Sequence, residues 1–290
     1  MSVVLENHIL KVSIHEKGAE LFSVFNKKTN LEYMWSGDAA FWGKTSPVLF
    51  PIVGTLKNDA LLYNGKSYSL PRHGFARDKV FEIESRTIDQ VAFRIESGLE
   101  TLSKFPFSFS LRIVYQIKDN LLTVSYDVVN EGSQAMYFSL GAHPAFKVPL
   151  VDGTQYDDYF LEFNSTENAL AWVISPEGLI ATETIPVLKN TSRLALKKEL
   201  FYKDALVFKN LRSDSIAIKS GRHSHGLDFA FAGFPFFGIW AAKDADFVCL
   251  EPWCGIADSV SHNQGLTEKE GIQHLDAGKS WSRNWSIKCF

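Results

Sequence analysis

Between residues 107 and 129 apolar and polar side chains alternate with a period of two. Phe107-Ser108-Phe109-Ser110-Leu111-Arg112-Ile113-Val114-Tyr115 alternates over most of its length, Lys118-Asp119-Asn120 supplies a polar turn, and Leu122-Thr123-Val124-Ser125-Tyr126-Asp127-Val128-Val129 resumes the pattern. An extended backbone sends successive side chains to opposite faces, so this pattern predicts a hairpin with one face on a core. Shorter runs of the same kind occur at 10–14, 21–25, 79–84, 91–95, 135–140, 159–163, 206–209, 215–219, 227–231, 236–241, 246–250 and 281–288. Turn residues such as Asn64-Gly65-Lys66 and Asn130-Glu131-Gly132 separate them. Only 194–203, Leu-Ala-Leu-Lys-Lys-Glu-Leu-Phe-Tyr-Lys, has a helical pattern. Many short strands without long crossover helices predict an all-β, antiparallel sandwich rather than βαβ units. No linker, repeat or low-complexity tract interrupts the chain, so residues 1–290 are read as a single domain.

Composition narrows the function. A chain that is 46% hydrophobic and 22% charged is not disordered. Its 30 basic and 33 acidic residues leave a net charge of -3, without the basic excess that nucleic-acid binding requires. No apolar run reaches the roughly 18–20 residues of a membrane span. The opening Met1-Ser2-Val3-Val4-Leu5-Glu6-Asn7 does not read as a secretory signal. Cys249, Cys254 and Cys289 are odd in number and lack a zinc or redox spacing, so they are expected to be reduced thiols in a cytoplasmic protein. Twenty-three phenylalanines and seven tryptophans suit strands, and flat tryptophan faces also suit sugar rings.

Three short stretches carry candidate chemistry. His73 lies in Leu70-Pro71-Arg72-His73-Gly74-Phe75-Ala76-Arg77, where Gly74 lets a ligand approach the backbone; the plain alternative is a loop histidine. His143 follows the apolar run 135–140, and Pro144 biases it toward an extended conformation at a strand exit. There it either faces a cavity and titrates or simply meets solvent. Glu251 ends the run Asp246-Phe247-Val248-Cys249-Leu250-Glu251, on the same side as Phe247 and Cys249. Burial beside Trp253 would raise its pKa toward that of a general base; the alternative is a strand-end charge reaching water, with Pro252 marking the end. His223 and His225 share a strand face, with Asp228 nearby, but no complete metal-ligand set is legible.

Together and in this order, His-Gly-Phe-Ala-Arg (73–77), Gly-Ala-His-Pro-Ala-Phe (141–146) and Leu-Glu-Pro-Trp-Cys-Gly-Ile-Ala-Asp (250–258) resemble the aldose 1-epimerase, or galactose mutarotase, superfamily, and its LacX-like branch in particular. Gly18-Ala19-Glu20-Leu21, Pro47-Val48-Leu49-Phe50-Pro51-Ile52-Val53-Gly54 and Asp204-Ala205-Leu206-Val207-Phe208 extend the resemblance over nearly the whole chain. The resemblance implies a large single-domain antiparallel β-sandwich that interconverts the α and β anomers of a free aldohexose or related sugar, with no metal or organic cofactor. It implies Glu251 as the base on the anomeric hydroxyl and His143 as the acid on the ring oxygen. His73 matches a second sugar-contacting histidine and Asp204 a holder of sugar hydroxyls, while Arg77 matches an arginine of the branch that either faces the pocket or makes a surface ion pair.

One position departs from the pattern. Where many relatives have Gly-Arg-Leu, this chain has Gly54-Thr55-Leu56, and Lys57 or Arg72 is the expected substitute for the missing arginine. The departure leaves two alternatives open: a sugar-binding protein without catalysis, and a hexose-6-phosphate mutarotase using Lys57, Arg72 and Arg77. A glycoside hydrolase is disfavoured, because no second paired acid is identifiable.

Overall fold

The computed structural model describes all 290 residues. The hairpin is formed by Phe109–Lys118 and Leu121–Asn130, with Lys118 opposite Leu121. Asp119 and Asn120 therefore make a two-residue turn, and Asp119 has the positive φ (52°) that tight hairpin turns require. This hairpin belongs to a fifteen-stranded antiparallel sheet. Thirteen strands form a path from Val48–Leu49 through Leu140–Ala142, Phe247–Cys254, Phe236–Trp240, Leu206–Lys209, Tyr159–Ile174, Ser215–Ser220, Leu227–Ala230, Ser280–Cys289, Leu121–Asn130, Phe109–Lys118 and Gln90–Glu96 to Glu82–Arg86, and off it Ala145–Lys147 pairs with Phe247–Cys254 and Ile180–Ala195 with Tyr159–Ile174.

A sheet of this many strands cannot stay open and flat; it curls or splits into packed layers. Here Phe146, on the short strand Ala145–Lys147 that pairs with Phe247–Cys254 near one end of the path, meets Phe229 from much farther along it, with ring centres 5.9 Å apart. The inward faces form one cluster of 72 buried apolar residues, from Val3 to Cys289. A second sheet of Ser2–Glu6, Leu10–His15, Leu21–Asn26 and Leu31–Glu32 packs its apolar face on the same cluster. The buried Tyr115 hydroxyl ties the two sheets by donating to the Ala19 carbonyl at 2.7 Å. The protein is thus an all-β antiparallel sandwich.

Three elements differ from the sequence pattern. The helical expectation at 194–203 does not hold: Leu194 and Ala195 end the strand Ile180–Ala195, and only Lys198–Phe201 turns, as a 3-10 helix. Pairing decides this, since Leu194 sits opposite Leu161 and is buried against it as a strand residue. The run expected at 159–163 continues as the sixteen-residue strand Tyr159–Ile174. Its polar middle hid it: Glu167 is buried there and accepts from the backbone and hydroxyl of Ser213, at 2.8 and 2.7 Å. Lastly, Glu251 does not end its strand. Phe247–Cys254 is buried along its whole length, so neither face shows alternation.

Candidate active site

Pro252 is accommodated inside this strand because the partner on one side is broken. Leu140–Ala142 and Ala145–Lys147 both pair with Phe247–Cys254, Gly141 opposite Trp253 and Ala145 opposite Cys249. The register is the same on both sides of the break, which puts His143 directly across from Glu251. Cross-strand neighbours have Cβ atoms only about 4.5–5.5 Å apart, and here His143 Nε2 lies 3.3 Å from Glu251 Oε2. Glu251 is 2% exposed and His143 8%.

The pair borders a cavity of about 320 Å³, toward the small end of ligand pockets. Its apolar wall is a separate cluster of eight buried residues, which includes Val53, Ile180, Val207, Trp253, Ile256 and Ala257. Trp253 fits because glycines flank it on both neighbouring strands. A Cβ on Gly141 or Gly238 would stand 2.5 Å from its ring. Its indole Nε1 is buried beside Glu251 without a hydrogen bond of good geometry. Trp42 stacks on His143 at 4.8 Å, and Trp240 meets the same imidazole edge-on at 5.6 Å.

His73 arrives from the loop that ends in the 3-10 turn Ala76–Asp78. It holds a positive φ (68°), unusual for a side chain with a Cβ, and a reciprocal contact fixes it there. The His73 N–H donates to the Gly54 carbonyl at 2.8 Å, and the Gly54 N–H donates to His73 Nδ1 at 3.1 Å. The neutral ring therefore carries its proton on Nε2. Gly74 follows at φ 72°, and a Cβ there would lie 2.3 Å from the Phe50 carbonyl oxygen. The His73 and His143 rings are 5.7 Å apart, edge to face.

Burial dominates the electrostatics. It holds His73 well below its usual pKa, helped by His143, Arg72 and Arg77. It lowers His143 to about 3, with Arg72 and Arg77 adding to the effect, and the buried Nδ1 finds no partner on another residue. Glu251 is pushed well above the carboxylate range by burial; Arg72 opposes the shift and Asp204 adds to it. Burial thus favours neutral His143 beside protonated Glu251, so the pair holds one proton across a 3.3 Å contact.

Asp204 and Arg77 also line the cavity, so all five residues singled out in the sequence converge there. Arg77 serves its own loop: its guanidinium donates to the Arg72 carbonyl at 2.8 Å, and burial lowers its pKa. Of the two expected substitutes for the missing arginine, Arg72 lines the cavity, half exposed, with Nη2 4.0 Å from Asp204. Lys57 points away, donating to the Val260 carbonyl at 2.8 Å. Thr55 lies behind the wall, its carbonyl accepting from the Asp258 N–H at 2.9 Å. Asp258 knots that wall together. Its carboxylate accepts from the buried Lys269 ammonium at 2.7 Å and from the Lys57 N–H at 2.9 Å, and its carbonyl accepts from the Ile180 N–H.

Trp42 and Trp240 belong to no motif, and only the tryptophan count pointed toward them. His223 and His225 lie outside the cavity, where His223 Nε2 hydrogen-bonds the Tyr159 hydroxyl at 2.8 Å. The ligand-type side chains that do converge are His143, Glu251 and Cys249, all buried.

The family model described as aldose 1-epimerase matches residues 1–288. The chain is 34% identical over 281 residues to the chromosomal protein LacX of Lactococcus lactis subsp. lactis, spanning 94% of each chain. A galactose mutarotase related enzyme from Lactobacillus acidophilus superposes with a TM-score of 0.95 at 34% identity, covering 100% of this chain and 97% of that one. A galactose mutarotase-like protein from Lactobacillus casei superposes with a TM-score of 0.94 at 32% identity, covering all of both chains.

Proposed function

The chain belongs to the aldose 1-epimerase family, and on that premise we propose that it binds a neutral free aldose and interconverts its α and β anomers. The observation that carries this reading is the buried contact between His143 and Glu251 at the cavity. The ring oxygen and the anomeric oxygen of a cyclic sugar are bonded to the same carbon. The groups serving them must therefore stand side by side, as cross-strand neighbours do. Glu251 takes the proton of the anomeric hydroxyl while His143 delivers one to the ring oxygen. The bond from C1 to the ring oxygen breaks as the C1 carbonyl forms. Rotation about C1–C2 then presents the other face of the aldehyde; as the ring closes, His143 takes back the proton of the attacking hydroxyl and Glu251 returns its own to the new anomeric oxygen.

For this chemistry Glu251 must start as carboxylate and His143 as imidazolium. That state has the same proton count as the pair favoured by burial, with the proton displaced from Glu251 to His143. The Arg72 guanidinium already favours the carboxylate, and sugar hydroxyls reaching Glu251 add hydrogen bonds to its charged form. His73, with its proton on Nε2, is assigned a donor role toward the sugar, and Asp204 with Arg72 the remaining hydroxyls. The tryptophans supply apolar faces for the sugar's C–H surfaces.

Support for a neutral sugar comes from the cations. A phosphate needs two or three converging donors, whereas Lys57 is turned away to the Val260 carbonyl and Arg77 gives part of its guanidinium to the Arg72 carbonyl, which leaves Arg72 as the cation least engaged by its own loop. The test is exchange NMR or polarimetry on freshly dissolved aldoses and their 6-phosphates. Faster anomer exchange with a neutral aldose supports the reading. Binding without acceleration across the panel overturns it in favour of a sugar-binding protein.

A further inference from the structure

Cys249 lies two residues before Glu251 on the same face of the strand Phe247–Cys254, beneath the catalytic pair proposed above. Its thiol sulfur, an imidazole nitrogen of His143 and a carboxylate oxygen of Glu251 all lie within 4.8 Å of one another. Thiolate, imidazole and carboxylate are the ligand set of a zinc-class ion. With metal–ligand bonds of about 2.0–2.3 Å, tetrahedral ligands stand about 3.3–3.8 Å apart. The His143–Glu251 contact is already 3.3 Å, so only the sulfur has to close in. Three protein ligands leave the fourth position open toward the cavity, the arrangement of an accessible zinc site.

The geometry points to a second ligand for this pocket: a thiophilic divalent cation, Zn²⁺ or Cd²⁺, held by His143, Cys249 and Glu251 and mutually exclusive with the sugar. Exclusion follows from the shared atoms, because the carboxylate and imidazole that would handle the sugar's protons are the ones the ion occupies. Binding expels the thiol proton and the proton of the His143–Glu251 pair to solvent, with no change in oxidation state. Because the ligands must shed these protons to bind, metal affinity rises with pH. Such an ion inhibits and is not required: Cys249 takes no part in anomer exchange.

The inference shares residues with the proposed function but is read without activity. Purified protein is titrated with Co²⁺ and Cd²⁺ while thiolate-to-metal charge-transfer absorption is followed, with and without a saturating aldose. One equivalent giving a charge-transfer band is expected, with at least tenfold weaker apparent affinity when sugar is present. Cys249→Ser and Cys249→Ala are expected to lose the band and to keep sugar binding. In both, Zn²⁺ inhibition of exchange weakens by tenfold or more. A wild-type protein without the band, or a band indifferent to sugar, overturns the proposal even if neither variant folds. So does unchanged metal affinity in a folded Cys249 variant, which would move the ion elsewhere, His223 and His225 being the obvious place. A band without any anomer exchange keeps the metal site and refutes only the catalytic reading.

Discussion

Glu251→Gln separates chemistry from architecture, because the two should move in opposite directions. The amide matches the carboxyl in volume and still reaches His143, so the packing against Trp253 and Gly238 is kept. It cannot take a proton from the anomeric hydroxyl. Loss of one general acid–base group costs about 100–10,000-fold in rate, or about 2.7–5.5 kcal/mol of transition-state stabilisation. Stability has the other sign. Burial raises the pKa of Glu251 in the folded state, so the native chain holds a proton that the unfolded chain releases above its ordinary carboxylate pKa of 4.5. Wild-type stability from this group is therefore complete below about pH 4.5 and is lost as pH rises toward the folded value. Glutamine has no such loss. The variant therefore gains on wild type as pH rises from about 4.5 toward the folded pKa of Glu251. Exchange NMR at saturating sugar reads the rate, and thermal unfolding at pH 5 and pH 8 reads the stability. Wild-type exchange with normal binding refutes the assignment of the base. A variant less stable than wild type at pH 8 refutes the account of the buried carboxyl.

His143→Asn should lose the exchange rate to a similar degree, and the double variant with Glu251→Gln should not multiply the losses, since both act in one proton relay. His143 titrates near pH 3 when folded against 6.5 when free, so its contribution is complete above 6.5 and is lost as pH falls toward 3; acid unfolding of His143→Asn should shift to lower pH. Arg72→Ala should weaken neutral-aldose affinity about 10- to 150-fold, the range of a hydrogen bond to a charged group at about 1.5–3 kcal/mol. Equal losses for a sugar and its 6-phosphate are expected from isothermal titration, and a selective loss of the phosphate would revive the phosphosugar alternative. Exhaustive EDTA treatment should leave exchange unchanged, and an ion-specific rescue would make the metal a cofactor. Asp258→Asn leaves Lys269 buried without its counter-charge, which typically costs about 3–5 kcal/mol; denaturant unfolding should show it, and a loss under 1 kcal/mol would refute the knot as a stabilising element.

Much of the fold was legible because strand periodicity is a local property. The alternation at 107–115 and 122–129 follows from backbone geometry, and the structure forms that hairpin with its turn at Asp119-Asn120. The motifs around His73, His143 and Glu251 were also legible, as residue types in order. Long-range pairing decided the rest. His143 and Glu251 are more than a hundred positions apart, and only the common register across the break at His143-Pro144 sets them face to face. Glu251 read as a strand end because Pro252 lacks an N–H to pair, and whether a partner strand asks for one there depends on the neighbour. The polar middle of Tyr159–Ile174 is a strand because Ser213 satisfies the buried Glu167, and 194–203 is not a helix because Leu194 has Leu161 opposite it. The choice of Arg72 over Lys57, and the arrival of Trp42 and Trp240 around His143, likewise arise from segments remote in sequence. Periodicity reports how one stretch of backbone presents its side chains; which residues meet across a cavity is set by how the strands pair and pack.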